Sequence, residues 1–352
     1  MKNILIFGAG SIGNHFANAS ISLNHNVYIT DISPNVLTRM KKVVYPKRYG
    51  KWSDKIKLIE YKKLFNDLKS LSFDLIIIGT PPKTHYKLLI KIIEKLSFKK
   101  LMVEKPFSVY KEKNNYKLLN KISKDRFIFV GYNHSVGDSF IHFNNLLKKI
   151  KLNTINHISV NWKEGWTGIL NAHFWLKDEF SSYLGRMNSG GGCLHEHSHG
   201  IHFLVCLEKI FKFELNDQYS SFVNIKKKNR KLFYDNFVNI NWKLKKFSVN
   251  YSTDLISEPA DKSLIIYTKV KKYELIINDK KKYDTIKILN HKTSNLSVKR
   301  FKKKRATDFM NEIKHMINID NKKSYEKSFI KLENGLRVQK IINNILKNEK
   351  SI

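Results

Sequence analysis

The feature that most constrains this chain lies at its start, where Ile4, Leu5, Ile6 and Phe7 run directly into Gly8-Ala9-Gly10-Ser11-Ile12-Gly13 and a helical pattern follows to about residue 23. A short, wholly apolar run of this kind reads as a strand buried on both faces. Three glycines at this spacing between a strand and a helix have separate tasks. The first permits the tight turn, the second lets a ligand approach the backbone, and the third lets helix and strand pack closely. The helix start offers free N–H groups and a partial positive charge, which suit a pyrophosphate. The next strand, 26–30, ends at Asp31, eighteen positions after Gly13. A carboxylate there accepts hydrogen bonds from ribose hydroxyls. Gly8, Gly10, Ser11, Ile12, Gly13 and Asp31 are therefore expected to hold a dinucleotide. Asp31 favours NAD over NADP, because a 2′-phosphate would meet its charge; Arg39 and the many lysines leave dual use open.

Strand and helix patterns go on alternating. Residues 74–78 are nearly all apolar and are broken by Gly79-Thr80-Pro81-Pro82; 84–96 is helical; 101–103 ends in Glu104-Lys105-Pro106. A further helix is expected from about Lys111, and the strand 127–130 ends at Gly131-Tyr132-Asn133-His134. The fold class is α/β, with an N-terminal doubly wound parallel sheet of the Rossmann type over 1–131. Ligands of such sheets sit at the carboxyl ends of the strands, where Asp31, Thr80, Lys105 and Asn133 fall. From about residue 156 the pattern becomes alternating and rich in β-branched and aromatic residues. Strands are expected over 155–162, 222–225, 237–244, 247–251, 264–270, 273–277 and 283–288. A helix is expected over 194–207, with more over 308–317 and 331–346. Residues 132–352 are thus expected to form an α+β substrate and oligomerisation domain on a large, mostly antiparallel open sheet. The helices of 306–348 are expected to pack back on the first domain.

Gly8-x-Gly10-x-x-Gly13, Gly79-Thr80-Pro81-Pro82-x-x-His85, Glu104-Lys105-Pro106 and Gly131-Tyr132-Asn133, in this order, resemble the Gfo/Idh/MocA oxidoreductases, the family of glucose-fructose oxidoreductase and inositol dehydrogenase. The tail, from Asp308-Phe309 to Leu332-Glu333-x-Gly335-Leu336, resembles the closing helices of that family. The resemblance implies that Thr80, Pro81, His85, Glu104, Lys105 and Asn133 line the cofactor, with Lys105 beside the reacting carbon. It also implies a sugar, cyclitol or nucleotide-linked sugar as substrate, lying between the domains, and a homo-oligomer, dimer or tetramer.

The densest chemistry in the second half is Ser189-Gly190-Gly191-Gly192-Cys193-Leu194-His195-Glu196-His197-Ser198-His199-Gly200-Ile201-His202. On one continuous helix His195 and His199 share a face, with His202 three further on and Glu196 and His197 turned away. A histidine takes a hydroxyl proton as hydride leaves the same carbon, the general-base step of an alcohol dehydrogenation. By the family resemblance His199 aligns with the histidine that follows the Gly-Gly-Gly turn. His195 and His202 stand where many members carry aspartate. The base therefore stays open among His199, His195 and Lys105. The same letters spell His195-Glu196-x-x-His199, the HExxH of zinc peptidases, but the longer metzincin spacing fails and no metal is expected. Arg186 beside Tyr183 would grip a substrate carboxylate or phosphate. Trp162 and Glu196 are further substrate candidates, with Glu164 and Trp166 beyond the same strand. Two rivals to net dehydrogenation are a redox-neutral sugar modification on tightly held NAD and a cofactor-binding scaffold without turnover.

Bulk composition enters chiefly as a test of partners. The formal charge is +35, from 65 basic and 30 acidic residues. That would suggest nucleic acid or an anionic membrane, except that only eight of the bases are arginine and the lysines are dispersed. The charge fits a general pull on anionic substrates. Lys2 is followed by too short an apolar run for a secretion signal, and nothing approaches the 18 or so apolar residues of a membrane span. Two cysteines, Cys193 and Cys206, do not make a disulfide framework. A cytoplasmic setting with no nucleic-acid or membrane partner is expected.

Overall fold

A computed structural model describes residues 1–67, 71–112, 119, 122, 126–280, 282–304 and 306–348. The helix expected from about Lys111 falls largely outside the described residues. The chain divides into two compact units: Met1–Ser108, Glu112–Asn133 and Arg305–Gly335 form the first; Val109–Lys111, His134–Lys304 and Leu336–Ile352 form the second.

In the first unit the strands are β1 (Asn3–Phe7), β2 (Asn26–Asp31), β3 (Ile56–Glu60), β4 (Ser72–Phe73), β5 (Leu75–Ile78), β6 (Ser97–Phe98), β7 (Lys100–Glu104) and β8 (Phe127–Gly131). Six of them form a sheet in the order β3-β2-β1-β5-β7-β8, every pairing parallel; β4 and β6 make a separate two-stranded piece. Strand order reverses between β1 and β5, the switch point at which such sheets bind ligands. Every residue of β5 and β7 is buried, as are Ile4, Leu5, Ile6 and Phe7 of β1, which is why the sequence reads as unbroken apolar runs. The helix Thr307–Ile317 packs on the helix Ser11–Ser22, with Phe309 stacked on His15 and edge-on to Phe16.

The second unit holds β9 (Ile155–Lys163), β10 (Tyr219–Lys227), β11 (Phe233–Lys243), β12 (Ser248–Asp254), β13 (Asp261–Thr268), β14 (Lys271–Asp279), β15 (Tyr283–Asn290) and β16 (Leu296–Lys302). Their order is β10-β11-β12-β9-β13-β14-β15-β16, antiparallel except for β12 beside β9. Alternation is plain in β9, where Ile158, Val160 and Trp162 are buried while Ser159, Asn161 and Lys163 are half-exposed. The helix His199–Phe211 packs on β9, β12 and β13 and is almost wholly buried. The opposite face is polar, and Asn239, Asn241 and Asn250 are joined there by side-chain hydrogen bonds.

The helix expected over 194–207 is in fact two. Cys193–Glu196 ends at His197 (φ −96°, ψ 21°), and a second helix starts at His199. Both cysteines are buried and free. No helix among the described residues is long and apolar enough to cross a membrane.

Candidate active site

In the first unit, Gly8 has φ +100° and lies so close to Gly79 that a Cβ would fall 2.7 Å from the Gly79 carbonyl oxygen. A Cβ on Gly13 would fall 2.0 Å from the Gly8 oxygen, so the third glycine is required by helix-to-strand packing. Gly10 differs: its Cβ would meet nothing within 4 Å. The middle glycine therefore borders open space at the N-terminus of the helix Ser11–Ser22, which has no side-chain cap. Its first N–H groups lack intrahelical acceptors. Asp31 lies over the same turn and accepts from the Ala9 N–H (2.9 Å) and the Ser33 N–H (2.9 Å). Arg48, which no sequence signal singles out, donates to the Ser11 hydroxyl (3.0 Å).

Two further loops close the carboxyl edge of this sheet, and His85 joins them. Its ring nitrogens contact the Thr80 carbonyl (2.7 Å) and the Pro106 carbonyl (3.0 Å), and burial pushes its pKa down to about 4. His85 is completely buried. Expected from the resemblance to line the cofactor, it clasps the Thr80-Pro81 loop to the Glu104-Lys105-Pro106 turn. Thr80 and Pro81 remain at the surface of that loop, with Thr80 Oγ1 bonded to Thr84 Oγ1 (2.7 Å). Glu104 is 6% exposed and accepts the Lys105 N–H (3.0 Å). Gly131 makes room for it, since a Cβ there would sit 2.8 Å from Glu104 Oε1. Glu312 is wholly buried beside this carboxylate, and burial together with Glu104 and Asp308 drives its pKa well up. Lys105 is half-buried at the end of β7. Asn133, just past β8, has a buried Oδ1 with no hydrogen-bond partner among the described residues.

These residues fit a dinucleotide. The turn has an uncapped helix start, the middle glycine opens on free space, a carboxylate stands at the second strand end, and an orphaned amide oxygen stands at the last. Gly8, Gly10, Ser11, Ile12, Gly13 and Asp31 would hold its phosphates and ribose, and Asn133 offers an acceptor to an amide.

In the second unit the broken helix separates the histidines. His195 is fully buried; its Nδ1 lies 3.3 Å from the Gly191 carbonyl and its Nε2 is 3.5 Å from Gln339. His199 is half-exposed and stacks on Trp162 (centroids 5.4 Å, 25°), with His134 edge-on at 4.8 Å. The shared helical face expected for His195 and His199 does not exist. Among the described residues no group of three or more His, Cys, Asp or Glu side chains is placed to hold a metal ion. Trp162, a substrate candidate from the sequence, is 2% exposed and forms a wall of the core on which the His199 ring stacks. Arg186 directs Nε and Nη2 at the Phe180 carbonyl (3.2 and 2.7 Å), so one edge of its fork is already bonded. Tyr183 begins a single-turn helix ahead of it, and Glu196 is half-buried where the short helix ends.

Residues 2–132 match the model of the Gfo/Idh/MocA family, described as an oxidoreductase family with an NAD-binding Rossmann fold. The first part of the chain is thus similar to the Gfo/Idh/MocA oxidoreductases. No curated protein sequence matches it. Levoglucosan dehydrogenase in complex with NADH superposes with a TM-score of 0.70 at 12% identity, covering 98% of this chain and 96% of its own. UDP-N-acetylglucosamine 3-dehydrogenase GnnA from Acidithiobacillus ferrooxidans gives 0.69 at 12%, over 97% and 95%. A dehydrogenase (MviM) from Clostridium difficile gives 0.65 at 17%, over 99% of each chain. At such identities the likeness is one of fold, and it extends beyond residues 2–132 to the second unit.

Sequence reasoning missed Asp235 and His134. Asp235, fully buried on β11, accepts the Leu194 N–H (2.7 Å) and the Cys193 S–H (3.2 Å), pinning the 190–192 turn and the short helix after it. Only the missing Cβ of Gly192 signalled such a neighbour. His134 follows Asn133 directly, inside a motif already noticed, but its contact with His199 spans 65 positions and has no sequence signature.

Proposed function

We propose that this chain is an NAD-dependent dehydrogenase of a sugar, cyclitol or nucleotide-linked sugar, working as a homo-oligomer, a dimer or tetramer, in the cytoplasm. The observation that carries the reading is the 8–13 turn, whose middle glycine borders open space while Asp31 stands over the loop. An acid at this point favours NAD, because a 2′-phosphate would meet like charge. The sugar class rests on the family resemblance and on what the structural neighbours are named for.

When bound, NAD supplies the hydride acceptor. The chain's own residues handle the proton. His199 is the proposed base: it is half-exposed, whereas His195 is sealed in the core against Gly191 and Gln339. Trp162 and His134 fix its ring, so that less orientational freedom is lost when the hydroxyl arrives. Lys105 is proposed to stabilise the developing alkoxide with its ammonium group. Arg186, Tyr183 and Glu196 are proposed substrate contacts.

The test is a titration with NADH and NADPH followed by tryptophan emission. Saturation with NADH, weaker with NADPH and reversed by Asp31→Arg, is the expected result. A folded, cofactor-free protein that binds neither would sink the reading. Lys105→Ala and His199→Ala are then expected to keep NADH binding while losing turnover on the sugar found by screening.

A further inference from the structure

We propose that the second unit contains an anion site for a phosphate or diphosphate group of the substrate, built from Arg186, Arg230 and Lys231. These residues line a cavity of about 700 Å³ between the 186–189 turn and the loop joining β10 to β11. That volume lies within the usual range of small-molecule sites, roughly 300–1,000 Å³. The other polar side chains in its wall are those of Asn188, Ser189 and Asn229, and the lining contains no acid.

Two of the chain's eight arginines meet here, although they are 44 positions apart in sequence. No acidic side chain among the described residues pairs with Arg186, Arg230 or Lys231, whereas Lys226 on the adjoining strand is paired with Glu179 (2.9 Å). Three unneutralised cations around one cavity repel one another, and a bound anion relieves that repulsion. Arg186 is also set in place in advance. Its Nε and Nη2 donate to the Phe180 carbonyl, leaving three of a guanidinium's five N–H donors unused by that oxygen. Holding the fork fixed lowers the entropy lost when an anion binds. A carboxylate is matched by a single fork; three cations suit a group carrying two charges or more.

The position connects this cavity to the proposed chemistry. The Arg186 carbonyl accepts the Ser189 N–H (2.9 Å) and the Gly191 N–H (3.1 Å), so the cavity wall continues into the glycine turn that precedes His195 and His199. Resting on the dehydrogenase reading, the inference narrows the substrate to a sugar bearing a phosphate or diphosphate.

The experiment is calorimetric titration of the full chain with inorganic pyrophosphate and with inorganic phosphate, in about 0.15 M salt, where diffuse attraction is screened beyond about 8 Å. The expected result is saturable anion binding that persists when the 8–13 turn is filled with NADH and is weakened at least about tenfold in R186Q/R230Q. A second variant, R230Q/K231Q, leaves the Phe180 contact intact and is expected to show a similar loss. K245Q/K246Q removes the same charge from an exposed turn at the far end of the eleven-residue strand β11 and is expected to bind normally. Pyrophosphate binding more tightly than phosphate supports a diphosphate-linked sugar; the reverse order supports a sugar monophosphate. Absence of saturable binding, or equal weakening in K245Q/K246Q, overturns the site. NADH titration of the same proteins keeps the two readings apart. It is expected to be unchanged throughout, and its failure in the parent protein would remove the dehydrogenase while leaving the anion result to stand by itself.

Discussion

Two glycine-rich turns start helices in this molecule, one in each unit, and they treat the helix start in opposite ways. Both contain a glycine with positive φ, Gly8 at +100° and Gly192 at +94°. At the first turn the helix Ser11–Ser22 begins without a side-chain cap and its middle glycine borders open space. At the second turn the space is filled by the protein. A Cβ on Gly192 would lie 1.8 Å from Asp235 Oδ1, and Asp235 Oδ2 takes the Leu194 N–H. One turn leaves its helix start open, as the proposed dinucleotide site requires; the other encloses a carboxyl from its own sheet. Glycine spacing reports that something approaches the backbone, while the identity of what approaches is set by residues far along the chain.

The comparison breaks first at its glycines. Gly192→Ala is expected to cost about 4 kcal/mol or more, because it combines a left-handed φ with a clash against a buried carboxyl. Gly10→Ala is expected to leave denaturant unfolding within about 0.5 kcal/mol of the parent, since its Cβ meets no protein atom. Its effect should appear instead in NADH affinity, as a loss of about 2 kcal/mol, or roughly thirtyfold. If Gly10→Ala unfolds the chain, or Gly192→Ala leaves its stability untouched, the two turns are not the opposites described here.

The same contrast shows why one half of the site was readable in the sequence and the other was not. The parallel sheet, Asp31 and the loops at Thr80 and Lys105 all follow from local signals: apolar runs, breakers and fixed spacing. The histidine segment has helical spacing too, yet it breaks at His197 and Ser198 without any glycine or proline at the break. The Asp235 side chain that organises the first of the two helices comes from a strand 41 positions beyond Leu194. His85 starts the expected helix, but whether it faces a ligand or the interior depends on the Pro106 carbonyl across from it. Strands β3 and β16 escaped notice because lysine and arginine interrupt them; both are sheet edges, where charge discourages pairing with further strands.

The smallest expected effect tests how far Asp235 resembles a bound anion. Burial raises its carboxyl to about 7, partly opposed by the Leu194 N–H and the Cys193 S–H. In the unfolded chain such a group titrates near ~3.9. Between these values the native state keeps a proton that the unfolded state has lost, so its contribution to stability is full below about pH 4 and is lost as pH rises through about 7. His85 and His315, both pushed down to about 4 by burial, act in the opposite sense below about pH 6.5, and buried Glu312 acts in the same sense as Asp235. All three are present in Asp235→Asn as well, so the difference between parent and variant isolates the one carboxyl. The amide keeps an oxygen for the Leu194 N–H and cannot ionise. Unfolding measured across about pH 6 to 8 should therefore show the parent losing about 1 kcal/mol relative to the variant. Parallel curves would mean that Asp235 stays ionised across this range, making the second turn a permanent internal anion site and bringing the two turns closer in kind.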